Sequence, residues 1–206
     1  MQGTSRESTL KRRKLGVSAI LAIVLVVAAS GIAFSRGEKP ETIKASAHGT
    51  STQLGQDFGV TLQIYAFSSP EDRQALLEAY QKGQNQGLVK ALSKMKAVGH
   101  CAVSGTPGYD VSYIRMTPTA TGRRIVFVTN RRIRFGEAYF DTQSQAYDLT
   151  AGQFDLDDSD ANKSTGVLYP AAQLTVDKEG ELRLDLNQNP WKLVDVIDWK
   201  GTPGVN

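Results

Sequence analysis

Apolar and polar positions alternate differently in successive parts of this chain, and each change marks an element. Leu15 to Ser35, "LGVSAILAIVLVVAASGIAFS", is an almost unbroken apolar run without a charge. Residues 36–56, "RGEKPETIKASAHGTSTQLGQ", are polar and rich in Gly, Ser and Thr, and read as a tether passing into a first short strand. From Phe58 a period of two sets in. Val60, Leu62 and Ile64 alternate with Thr61, Gln63 and Tyr65, the pattern of a strand with one face on a core.

The stretch "SSPEDRQALLEAYQKG" predicts a helix, with Ser69 placed as N-cap, Pro70 at the first helical position and Asp72 three residues after the cap. Leu76, Leu77 and Tyr80 form its apolar stripe, and Gly83 is placed to stop it. Leu88, Val89, Leu92 and Met95 mark a second piece, so the helical unit spans residues 70–95.

After Lys96 the period of two returns, in "KAVGHCAVSG", "YDVSYIRMTP", "GRRIVFVTNR", "QAYDLTAGQFDLDD", "TGVLYPAAQLTVD", "GELRLDLN" and "WKLVDVIDW". Ala120-Thr121-Gly122 and Lys178-Glu179-Gly180 sit where hairpin turns belong. In the last hairpin Leu174 and Val176 are expected inward with Leu182, Leu184 and Leu186. With no βαβ alternation, the predicted class is α+β and mostly antiparallel β: a meander or sandwich-like sheet carrying one helical hairpin or broken helix, preceded by an N-terminal hydrophobic helix. The expected layout is a leader over residues 1–35, a polar linker over 36–56 and one β-rich domain over 57–206.

The leader changes the charge picture. Lys11, Arg12, Arg13 and Lys14 precede the apolar run, a basic n-region before a hydrophobic h-region, and Ala28-Ala29-Ser30 or Ala33-Phe34-Ser35 offer cleavage triplets. A signal peptide is one reading; a retained anchor over residues 15–34 is the other, since roughly 20 apolar residues span a bilayer. Under either, the positive-inside rule puts the rest of the chain outside the cytoplasm, in the periplasm, secreted or held at the inner membrane. Of the 24 basic and 21 acidic residues, five and one belong to the leader, which leaves 19 and 20 in the remainder, a net charge of −1. A basic footprint for nucleic acid is therefore missing, and the expected partner lies in the envelope or outside the cell.

Cys101 is the only cysteine, so no intramolecular disulfide can form; its apolar neighbours in "VGHCAVSG" predict a small buried side chain. His48 and His100 are the only histidines and lack metal-ligand spacing. Nucleophile-elbow, phosphate-loop and zinc-protease motifs are missing from the sequence, which favours a non-enzymatic domain.

Two clusters remain as candidates. "FDLDDSDANKSTG" places Asp155, Asp157, Asp158, Asp160 and Asn162 close together, as a weak calcium site would require. Asp158, Asp160 and Asn162 fit the first ligand positions of an EF-hand-like loop, but Lys163 stands where its glycine belongs and Tyr169 at the twelfth position. The competing reading makes Phe154 and Leu156 inward positions of a strand and Asp158–Gly166 a polar hairpin loop. "GRRIVFVTNRRIRFG" supplies Arg123, Arg132 and Arg134, which with Asp110 and Glu137 are candidates for an anion-binding or acid/base site in an enzyme of unrecognised type. The alternative is a solvated strand face whose arginines pair with aspartates of neighbouring strands.

From Ser69 onward the chain resembles a family of uncharacterised exported proteins from Acidobacteria and related soil bacteria. The resemblance lies in "PEDRQALLEAYQKG", "GLVKALSKMKAVG", "GYDVSYIRMTPTATGRRIVFVTNRRIRFGEA" and "STGVLYPAAQLTVDKEGELRLDL". It implies a secreted β-rich domain with an inserted helical unit, and carries no activity, substrate or cofactor with it.

Overall fold

Alternating inward and outward positions recur in eight strands, and these close on themselves. A computed structural model describes residues 39–50, 55–131, 149–177, 182–184, 190–201 and 204–205, all within one compact unit, Glu38–Asn206. The leader expected over residues 1–35 lies outside the described residues. The described elements are β1 (Glu41–His48), β2 (Asp57–Ile64), β3 (Ala66–Phe67), α1 (Pro70–Leu92), β4 (Gly99–Val103), β5 (Tyr109–Pro118), β6 (Gly122–Thr129), β7 (Leu149–Asp157), β8 (Thr165–Ala172), β9 (Leu174–Val176), β10 (Leu182–Leu184), β11 (Trp191–Trp199) and β12 (Gly204–Val205).

The order β1-β11-β8-β7-β6-β5-β4-β2 forms a closed barrel, with every neighbouring pair antiparallel. The mostly antiparallel β character is as expected, but the sheet is a barrel and not a sandwich-like layer. Closure removes the exposed edges that an open meander would present. The key strand for closure is β1, drawn from the polar stretch after the leader. Ile43, Ala45 and Ala47 point inward from it, and it pairs with both β2 and β11. Its small alanines gave only a faint apolar signal.

Side chains fill the interior. Ile114, Phe127, Gly152, Leu168 and Trp191 are successive register partners around its wall. Phe127 lies flat enough on Gly152 that a Cβ there would meet the ring at 2.4 Å, and Phe127 stacks on Phe154 at 6.1 Å between centroids. Eight strands give a bore just wide enough for such filling. Outward positions such as Thr42, Lys44, Thr61, Gln63, Arg124 and Lys192 are polar, the reverse of the polarity that lipid around a barrel demands. Among the described residues no helix is long and apolar enough to cross a membrane.

One side of the barrel wears the helix. Tyr113, Val128, Ala151 and Tyr169 are register partners on the outer face of β5 to β8, and Leu76, Leu88 and Leu92 of α1 cluster with them. The predicted capping box is present: Ser69 Oγ accepts from Asp72 N at 3.1 Å, and Asp72 Oδ2 from Ser69 N at 2.8 Å. The helix breaks at the expected glycine, with Gly83 and Gln84 outside helical geometry. Its two halves then meet so closely that a Cβ on Gly87 would lie 2.0 Å from the Ala79 carbonyl oxygen. Cys101 is fully buried inside the barrel, as its neighbours suggested, and burial pushes its thiol up to about 12.

That contact makes Gly87→Ala a discriminating variant. Helix propensity alone would reward it by about 1 kcal/mol. Because the obstacle is backbone, the expected result is instead a net loss of about 1–3 kcal/mol, read from urea unfolding.

Candidate functional site

Polar groups enter the barrel at one end only where they can be paired. Arg123, near the start of β6, points inward, and β6 stands four strands from β1 in either direction around the wall. Its guanidinium reaches across to Glu41 on β1, with Nη1 to Oε2 at 3.1 Å and Nη2 to Oε1 at 2.7 Å. Nη2 also donates to Asp198 Oδ2 of β11 at 2.6 Å. Glu41 is 1% exposed, and burial, outweighing the nearby Arg123, raises its pKa above the ordinary 4.5. Arg123 Nε and Asp198 Oδ1 remain buried without a hydrogen-bond partner.

Asp198 faces inward because of a defect in β11. Lys44 pairs with Ile197 but Ser46 with Val194, so β11 carries one extra residue there. Asp195 takes up the slack at φ 50°, a left-handed conformation that Asp tolerates better than most residues. Before this bulge Trp191 and Leu193 point inward; after it Val196 and Asp198 do. Simple alternation from Trp191 would instead have put Ile197 and Trp199 inside. They stand outside, 52% and 49% exposed.

The outer face of β11, β1, β2 and β4 thus acquires two large apolar side chains. Trp199, Thr42, Gln63 and His100 are successive register partners, and Asp110 of β5 extends the row. Tyr65, 43% exposed, donates its hydroxyl to Gln63 Oε1 at 3.3 Å and so stands on the same face. Lys44 Nζ lies 4.9 Å from the Trp199 ring centroid, a cation–π contact. Beside the row runs a shallow trough of about 540 Å³ over small side chains, among them Ser46, Gly59, Ala102 and Ser104, with Lys44 and Asp195 as its charged groups.

A second cleft, about 620 Å³, opens at the barrel end between β11 and the β7–β8 loop. Here the aspartate cluster is spent on separate tasks. Arg124 Nε donates to Asp155 Oδ1 at 2.5 Å across the strand pair. Asp157 Oδ1 accepts from the Ser159 hydroxyl and from the Ser159 and Asp160 amides, which holds its pKa down to about 2. Asp158 meets Lys200 Nζ at 2.6 Å, and Asp160 caps a 3-10 turn through the Asn162 amide at 3.1 Å. Among the described residues no three acidic, histidine or cysteine side chains converge as a cation would require.

The sequence-derived anion site is likewise dispersed. Arg123 is neutralised inside the barrel, whereas Asp110 lies on the outer face beside His100, 3.7 Å from Nδ1. Arg123 pairs in register with Pro118, eight residues along β5 from Asp110, a separation of about 27 Å at strand rise. Arg132, Arg134 and Glu137 lie outside the described residues. Sequence reasoning missed Glu41, Asp198, Trp199, Gln63 and Tyr65; the signal available was a "WKLVDVIDW" strand whose two halves disagree in parity. Comparison with family models, with curated proteins and with solved structures gives no match.

Removing the cation from the triad should leave two carboxylates facing each other in the core. Arg123→Leu is expected to cost about 3–5 kcal/mol in equilibrium unfolding. Glu41→Gln, which leaves Arg123 with Asp198, is expected to cost about 1–3 kcal/mol; equal losses would mean that shape and not charge governs the site.

The two shifted carboxylates act oppositely with pH. Asp157, lowered from 3.8 to about 2, contributes stability that is complete above the unfolded value and is lost as pH falls through 2. Glu41, raised, keeps its proton in the native state above 4.5, so its contribution falls as pH rises through that interval. Asp157→Asn should therefore flatten the decline of melting temperature between about pH 4 and 2.

Proposed function

We propose that this chain is an exported, non-enzymatic domain that holds an envelope or extracellular partner on the outer face of β11, β1, β2 and β4. The observation that carries the reading is the parity switch at Asp195, which leaves Ile197 and Trp199 half exposed on one strand beside the trough. Large aromatic side chains are the usual anchors of binding surfaces. A filled barrel supports the same reading, since Phe127, Phe154, Ile43, Leu62 and Trp191 occupy the space a substrate would need. So does the neutralisation of Arg123, the one described member of the arginine cluster that enters the barrel. The basic and apolar leader pattern is what supports export.

The test is adsorption of the purified full chain to envelope and exopolymer fractions of the organism that makes it, measured as depletion from the supernatant. The wild type should be retained. The double variant Ile197→Ser, Trp199→Ala should melt at the wild-type temperature yet stay in solution. Equal retention of the two, or turnover of a substrate by the wild type, would remove this reading.

A further inference from the structure

The outer face has a chemistry narrower than "binding surface". Its two aromatic side chains are separated by hydrogen-bonding ones: Thr42 and Gln63 stand between Trp199 and Tyr65 in the register. Two strand spacings and two residues of rise put the Cα atoms of Trp199 and Tyr65 about 12 Å apart, longer than a single sugar ring and matched by a short oligosaccharide.

Charge on this face is balanced. Lys44 lies on Trp199, Asp195 is the trough's carboxylate, His48 Nδ1 sits 2.6 Å from Asp57 Oδ1, and His100 neighbours Asp110. A nucleic acid or an anionic lipid surface would call for an excess of cations, which these groups do not supply. A protein partner would favour a contiguous apolar centre with aromatic anchors clustered, whereas here polar side chains divide them. Neutral sugars offer what remains: an apolar C–H face that lies on an aromatic ring, and a rim of hydroxyls that both donate and accept.

We infer that the face formed by β11, β1 and β2 binds a neutral polysaccharide, with sugar rings stacked on Trp199 and Tyr65 and hydroxyls bonded by Thr42, Lys44 and Gln63. The inference deepens the proposed function and rests on the same surface. The trough over Ser46, Gly59 and Ala102 is the path along which the chain continues, because its small side chains leave room for a ligand backbone.

Affinity electrophoresis of the full chain in native gels containing hydroxyethylcellulose, mixed-linkage β-glucan, xylan, galactomannan or starch tests this directly. The wild type should be retarded in at least one gel. Trp199→Ala should weaken the apparent affinity about tenfold, the scale of one lost aromatic contact, and Tyr65→Ala by a smaller factor. Gln153→Ala, an outward change on the strand wall away from this face, should leave the retardation unchanged.

A second arm separates this inference from the reading beneath it. The envelope and exopolymer fractions are treated with periodate, which cleaves vicinal diols, or with protease, before adsorption. Retention lost to periodate and kept after protease supports a glycan. Retention lost to protease alone, with no retardation in any gel, would overturn the glycan and leave the outer-face reading standing with a protein partner. Retention that Ile197→Ser, Trp199→Ala does not alter would overturn both.

Discussion

The bond from Arg123 across the barrel to Glu41 and Asp198 is the constraint on which the remaining architecture depends. It joins β6 to the two strands on the opposite wall, β1 and β11, where the first and last strands of the barrel pair and the sheet closes. Burying three charges is expensive, and the unpartnered Arg123 Nε and Asp198 Oδ1 add to the cost. A pairing of this kind adds little net stability. What it supplies is register: a one-residue slip of β1 or β11 would carry a carboxylate to the outer wall and leave Arg123 alone in the core.

The same constraint accounts for the outer face. Asp198 must point inward to meet Arg123, while Trp191 and Leu193 must point inward to fill the bore, and these positions have opposite parity on one strand. The bulge at Asp195 reconciles them by admitting one extra residue in a left-handed conformation. Its consequence is that Ile197 and Trp199, apolar residues that alternation would have buried, stand in water. The exposed aromatic surface and the buried ion triad are two results of one backbone irregularity.

The barrel is asymmetric around its circumference. On the β5 to β8 side, outward Tyr113, Val128, Ala151 and Tyr169 are apolar and the broken helix covers them. On the β11 to β4 side the outward residues are mainly polar or small, with Trp199 and Tyr65 as the aromatic exceptions. Since the bore is filled by side chains, recognition falls to the outside of the wall. Asx turns and cross-strand pairs consume the aspartates of the β7–β8 loop, which explains their density without a bound ion.

Local physics made much of this legible from the sequence. Ser69, Pro70, Asp72 and Gly83 wrote the start and the break of the helix, because caps and breakers act within a few residues. The alternations around Val60 to Ile64 and Phe154 to Leu156 wrote strands with a known inner face, because side-chain direction in a strand has a period of two. The burial of Cys101 followed from the same neighbours. What the sequence did not disclose was everything that depends on closure. Glu41 lay in a polar stretch, Arg123 in a run of like charges, and Asp198 at the wrong parity, and no local signal links positions separated by 82 and 75 residues. Only the tertiary structure, by rolling an antiparallel meander until β1 met β11, decided which arginine would be buried, which aspartate would meet it, and which tryptophan would be left outside.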